Sequence, residues 1–299
     1  MFHRLLIATN LNDGIHRLIH FVASLANGGV TEILFCHSVP LWQEGEIPRI
    51  DQEGINRARD RLSIAKTNFP AGVQVQVQVT SGLPGDTLMN GITNFHPDLV
   101  ILGTPVRSLL NENLLGSTTQ HLLLHLQVPI LALRPPLLSA LTNEELDLRC
   151  RHLWRFLLIP FNGTDAAQRL LQLIKSYIQR DPLQSHGVER CTLLWILDTK
   201  GKRDIPKSLQ IEQAEAALAK AKGELADLNL DVEGLIRWGD PLTETVKYAS
   251  EQGFSAIATN STYNNRWLDW TVPSLGRDLL RSSWHPVLYI PKHCVAPLL

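Results

Sequence analysis

The sequence predicts an α/β protein: two tandem, doubly wound parallel sheets, each of five short strands with helices on both faces. Three observations predict it. Short apolar runs of strand length alternate with segments of helical period. Most of those runs are continuously apolar, the mark of strands buried on both faces of a sheet. Landmarks of the first half also recur in order in the second. Gly82-Leu83-Pro84 returns as Gly239-Asp240-Pro241, Leu99–Gly103 as Ala256–Asn260, and Pro129 as Pro286, each 157 positions later. A constant offset across three landmarks marks a duplicated domain.

The elements follow in order. Leu5–Asn10 (LLIATN) is a buried strand running into a turn. Ile15–Ala26 carries apolar residues at 15, 18, 19, 22, 25 and 26, a helical period that Gly28-Gly29 stops. Glu32–Val39 is a second strand, Trp42–Ile50 a loop, and Asp51–Lys66 a polar helix. Val73–Val79 alternates Val and Gln, so it is half exposed and belongs near a sheet edge. Gly82-Leu83-Pro84 opens another helix. Leu99–Leu102 is a strand, followed by a loop from Gly103, a helix start at Gly116-Ser117-Thr118, and the strand Ile130–Leu133.

The second half repeats this from Leu157–Asn162, which matches Leu5–Asn10 at an offset of 152. Pro206–Asn229, rich in Ala, Lys and Glu, is an amphipathic helix covering the sheet, with Leu218, Ala221, Leu225 and Leu228 on one face. The joint lies in Pro135–His152, with helix-start composition at Thr142–Glu145. The expected division is a domain at 1–137, a linker at 138–149 and a domain at 150–299.

Composition narrows the function. A charged fraction of 19% and a hydrophobic fraction of 44% describe a globular protein with a sizeable core. The 28 basic and 29 acidic residues nearly cancel, which gives no support to nucleic-acid or anionic-membrane partners. Cys36, Cys150, Cys191 and Cys294 have no metal-ligand spacing and read as reduced, buried thiols of a cytoplasmic protein. No apolar run approaches membrane-spanning length. His121 and His125 share a helical face but lack a third ligand, so no metal site is expected. No nucleophile elbow, Walker loop or carboxylate pair supports dedicated catalysis.

The site expectation rests on the loop. In a parallel sheet the loop after Leu99–Leu102 lies at the carboxyl end, where ligands bind. Gly103 permits a close ligand approach or a positive φ; it also suits a plain strand-end turn. Ser117 and Thr118 suit phosphate at a helix start and equally suit helix capping. Arg107 suits phosphate charge and equally a solvated loop.

Gly103 followed by Gly116-Ser117, with Val128–Leu131 beyond, resembles the nucleotide-binding signature of the universal stress protein family. The resemblance implies a strand order of 3-2-1-4-5, so the chain reverses between strands 1 and 4, whose ends are Thr9-Asn10 and Leu102-Gly103. It implies a stress-response or regulatory role, with ATP or a related nucleotide held in the first domain by Thr9, Asn10, Gly103, Arg107, Gly116, Ser117 and Thr118. At most a slow ATPase is implied.

The chain departs from the pattern at Val106, where a second glycine belongs, and at Asn10, where the family carries Asp. The second domain departs further. Asn260 and Pro273 stand at the two glycine positions, Ser274 alone survives, and Trp267 and Trp270 enter the loop. No nucleotide is expected there. The alternative reading is a scaffold without nucleotide, acting through protein partners or as a homo-oligomer.

Overall fold

The computed structural model describes residues 1–42, 49–67, 69–104, 126–180, 187–198, 206–260 and 274–294. The chain forms two compact units that divide between Arg151 and His152.

In the first unit the strands are β1 (Arg4–Ala8), β2 (Glu32–Val39), β3 (Gln74–Ser81), β4 (Leu99–Gly103) and β5 (Ile130–Leu133). They run parallel in the order β3-β2-β1-β4-β5. Burial explains the order. Leu5, Leu6, Ile7, Leu99, Val100 and Ile101 are each fully buried, so β1 and β4 take the centre of the sheet. The alternating QVQVQVTS of β3 offers one water-tolerant face and sits at the edge. The order fixes the reversal between β1 and β4, whose carboxyl ends lie side by side.

The apolar period at 15–26 does not form one continuous helix. Gly14–His20 is a 3-10 helix and Val22–Asn27 an α-helix, separated at Phe21. Ile15, Leu18 and Phe21 are all buried and spaced by three, which suits the tighter turn. Tertiary contacts hold that turn in place. A Cβ on Gly14 would lie 2.2 Å from the Pro135 carbonyl, and Arg17 donates to the carbonyl of Leu141 at 2.7 Å. Both partners belong to Pro135–Leu141, where Pro135–Ala140 is helical. Asn143–Arg151 is also helical and packs within this unit, Ser24 Oγ donating to Asp147. The polar helix runs Gln52–Ser63 and then tightens into a 3-10 turn, Ile64–Lys66. Asp51 caps its start by accepting from Gly54 N–H at 2.7 Å.

The second unit has β6 (Phe156–Pro160), β7 (Arg190–Leu197), β8 (Asp231–Trp238), β9 (Ala256–Asn260) and β10 (Val287–Ile290). Their order, β8-β7-β6-β9-β10, is the same topology. The duplication is visible in register: Leu5 pairs with Leu99, and Leu157 with Ala256. The long helix runs Lys207–Glu224 and buries Ala214, Leu218 and Ala221. Its last apolar residues, Leu225 and Leu228, are buried in the turn that follows.

One polar contact fixes the β1–β4 pair of the first unit and its counterpart in the second. The Asp98 carboxylate, just before β4, accepts the N–H groups of His3 and Arg4 at 2.9 and 3.0 Å, and Asp98 N–H donates to Arg4 O. In the second unit Ser255 takes the same place and its Oγ accepts the Phe156 N–H at 3.1 Å. We expect Asp98→Ala to cost about 2 kcal/mol, the worth of charge-assisted bonds left unmade. Ser255→Ala should cost about 1 kcal/mol. Urea unfolding of both variants, read against the parent midpoint, checks the difference.

Candidate functional site

The residues after β1 form a tight turn built by their own side chains. Thr9 is buried; its N–H donates to Cys36 O at 3.1 Å and its Oγ1 accepts from Leu11 N–H at 3.0 Å. Asn10 is exposed, and its Oδ1 accepts from Asn12 N–H at 2.9 Å. These short polar side chains let the chain reverse without secondary structure. Leu11 is left with a φ of +67°, a left-handed conformation that is rare for an apolar residue. Arg61 donates to its carbonyl at 2.7 Å. The second unit uses the same turn: Asn162 Oδ1 accepts from Thr164, and Gly163 has a φ of +69°. Glycine stands there where the first unit has leucine.

Asp13 then caps the 3-10 helix, accepting from Ile15 N–H at 3.1 Å. Its carboxylate faces Gly103 at the end of β4. A Cβ on Gly103 would lie 2.9 Å from Pro135 Cγ, 3.0 Å from Ile15 Cγ1 and 3.1 Å from Asp13 Oδ2. Glycine is therefore required at 103 by crowding, and its φ is not positive. Beyond it, Thr104 is fully buried. Arg134, also buried, donates to Thr104 Oγ1 at 2.6 Å, and burial pulls its guanidinium pKa down to about 10.

These pieces surround a cleft of about 180 Å³ at the carboxyl ends of β1 and β4. Thr9, Asn10, Asp13, His37, Thr87 and Gly103 supply its walls. A concavity therefore lies where the strand order reverses. His37 Nδ1–H donates to Thr9 O at 2.8 Å, and burial holds its pKa below the ordinary histidine value. Burial is also the main influence on Asp13 and raises its carboxyl, against the Ile15 bond and the charge of His16. Among the described residues lining this cleft, Asp13 is the formal charge and no lysine or arginine is present.

Of the residues singled out from sequence, Thr9, Asn10 and Gly103 share this cleft. Arg107, Gly116, Ser117 and Thr118 lie outside the described residues, as do Pro105, Val106, His121 and His125. Sequence reasoning missed Asp13 and Thr87. The Asp13-Gly14 pair, a turn and capping signal, was the available clue to the first. Among the described residues no group of three His, Cys, Asp or Glu side chains forms a metal site, and no helix is long and apolar enough to cross a membrane.

The second unit has a matching cleft of about 140 Å³ between Phe161, Asn162, Thr259, Asn260 and Gly276. Its described lining carries no ionisable side chain. Asn260 Nδ2 donates to Ala166 O at 2.6 Å, so the residue replacing glycine ties the strand end to the neighbouring helix. Trp267, Trp270 and Pro273 lie outside the described residues.

Two outcomes follow. Gly103→Ala should destabilise the protein by about 1 kcal/mol, because the side chains of Pro135, Ile15 and Asp13 must give way to the added methyl; thermal unfolding measures it. A carboxyl whose folded pKa is raised loses stability as pH climbs from the unfolded value through the folded one. Asp13→Asn keeps the cap. It should therefore unfold at higher urea than the parent at neutral pH and should lose the parent's decline just above the ordinary aspartate range.

Comparison with known proteins agrees with this architecture. Residues 1–134 match the model of the Universal stress protein family. A universal stress protein from Archaeoglobus fulgidus shares the fold along 97% of this chain and 98% of its own, at 16% identity and a TM-score of 0.61. A putative universal stress protein from Pseudomonas aeruginosa UCBPP-PA14 covers 97% of this chain and 94% of its own, at 12% identity and 0.59. A functionally unknown protein from P. aeruginosa PAO1 covers 98% and 93%, at 12% identity and 0.56. No curated protein matches the sequence. The first unit is thus a universal-stress-protein-like domain, and the chain sets two five-stranded units of that topology in tandem.

Proposed function

We propose that this chain is a regulatory protein of the stress response whose first unit binds ATP or a related adenine nucleotide between Asn10 and Gly103. The observation that carries the reading is the cleft at the β1/β4 reversal, inside the segment matching the family model. Thr9, Asn10 and Thr87 offer hydrogen bonds to a nucleoside, and Ala8, Leu88 and Leu102 offer apolar contact. The phosphates then belong to the Gly103–Thr118 stretch, with Arg107 and the backbone of Gly116, Ser117 and Thr118 as their partners. Occupancy of the cleft is the signal, and a change at the surface is the output; catalysis is at most a slow ATPase activity.

One observation favours a second reading, a scaffold that binds protein partners and no nucleotide. The Asp13 carboxylate stands at the Gly103 corner, and the described lining supplies no cation to offset a triphosphate. Isothermal titration decides between the two. ATP should bind with at most one equivalent per chain, since the second cleft has Asn260 and Pro273 at the glycine positions. Gly116→Val should abolish binding, and Asn10→Ala should weaken it about tenfold through a lost hydrogen bond. Absence of binding by the parent rejects the nucleotide reading, and binding unaffected by either variant puts the ligand elsewhere.

A further inference from the structure

β3 is an outer strand of the first unit; among the described residues it pairs with β2 alone. Gln74 N–H donates to Thr31 O at 2.8 Å, and Gly82 N–H donates to Val39 O at 3.0 Å. Backbone groups alternate sides along a strand. The even-numbered residues from 74 to 82 therefore turn their N–H and C=O toward β2, and Val75, Val77 and Val79 turn theirs outward.

The residues of that strand carry none of the side-chain features by which natural edges avoid pairing. From Val73 to Ser81 there is no charge, no proline and no glycine, and the register with β2 is unbroken by a bulge. The duplicated edge is guarded. β8 carries Asp231, Glu233 and Arg237 and is interrupted by Gly234, with Arg237 paired to Glu251 at 3.2 Å. The two units share a topology, so the difference belongs to the β3 edge itself.

The sequence of that edge is also its own mirror. Val73–Val79 reads VQVQVQV in both directions. A two-fold axis at Gln76 would set Val75 against Val77 of a second copy and Gln74 against Gln78. Valine then meets valine on one face and glutamine meets glutamine on the other, the self-complementarity that a two-fold interface requires. The register brings together the backbone groups that face outward: Val75 and Val77 become hydrogen-bonded pairs, and Gln76 faces Gln76 between them. Gln74 and Gln76 are exposed and free of the core.

We propose that the free edge of β3 is a self-association surface, on which a second copy of this chain adds its own β3 antiparallel about Gln76.

Sedimentation velocity of the full chain over a range of concentrations tests this. The parent should dimerise. Gln76→Lys and Gln76→Glu each place like charges across the axis and should each weaken the dimer about fivefold. An equimolar mixture of the two should recover parental association, which a folding defect would not do. Val77→Pro removes an outward N–H that the ladder does not use and should leave a folded monomer. A parent that stays monomeric, charge variants that associate as the parent does, or a mixture no tighter than either variant alone would overturn the proposal.

Discussion

A missing side chain holds the corner of the first cleft together. At Gly103 the end of β4, the 3-10 helix Gly14–His20 and Pro135 converge within a distance that leaves no room for a Cβ. Asp13 caps its helix through one oxygen and turns the other toward that strand end. In the second unit the strand ends in Asn260, and the close approach is a different one, between that strand end and Gly276 of the helix Leu275–Ser282. A Cβ there would lie 2.6 Å from Asn260 O. Strand and helix must meet closely in both units, and glycine is what permits it.

The two units therefore share a topology and differ in how they hold it. A carboxylate accepts two backbone N–H groups beside β1, and a serine accepts one beside β6. Leucine is driven to a left-handed φ after β1, and glycine takes it freely after β6. The burial of Leu11 compensates for its conformation, since the side chain is 5% exposed. Charge follows the same division. The first cleft contains Asp13, whereas the second has no ionisable group in its described lining.

Much of this was legible in the sequence, for reasons that can be named. Glu32–Val39 is continuously apolar in its centre and its bounds match the strand found. The Val–Gln alternation of Val73–Val79 placed it at an edge, because a central parallel strand would need apolar residues on both faces. The break at Phe21 was not legible. Ile15, Leu18 and Val22 fit a helix of ordinary pitch, and the tighter turn comes from Pro135 and Leu141, more than a hundred residues away. The reason for Gly103 was hidden in the same way, since its neighbours Asp13, Ile15 and Pro135 are distant in sequence. Asp13 read as turn chemistry and is also a wall of the cleft.

All four cysteines are reduced and buried. Cys36 and Cys150 lie in the first unit, and Cys191 and Cys294 in the second. Burial pushes the thiols of Cys36, Cys150 and Cys191 up to about 12, and that of Cys294 upward as well. Only the thiolate attacks an alkylating reagent. In the folded chain the reagent is thus denied both access and a reactive sulfur, and each unit carries two latent labels that become nucleophilic when it opens. The rate at which each pair is alkylated is a clock for the opening of its own unit, readable by mass without any engineered probe.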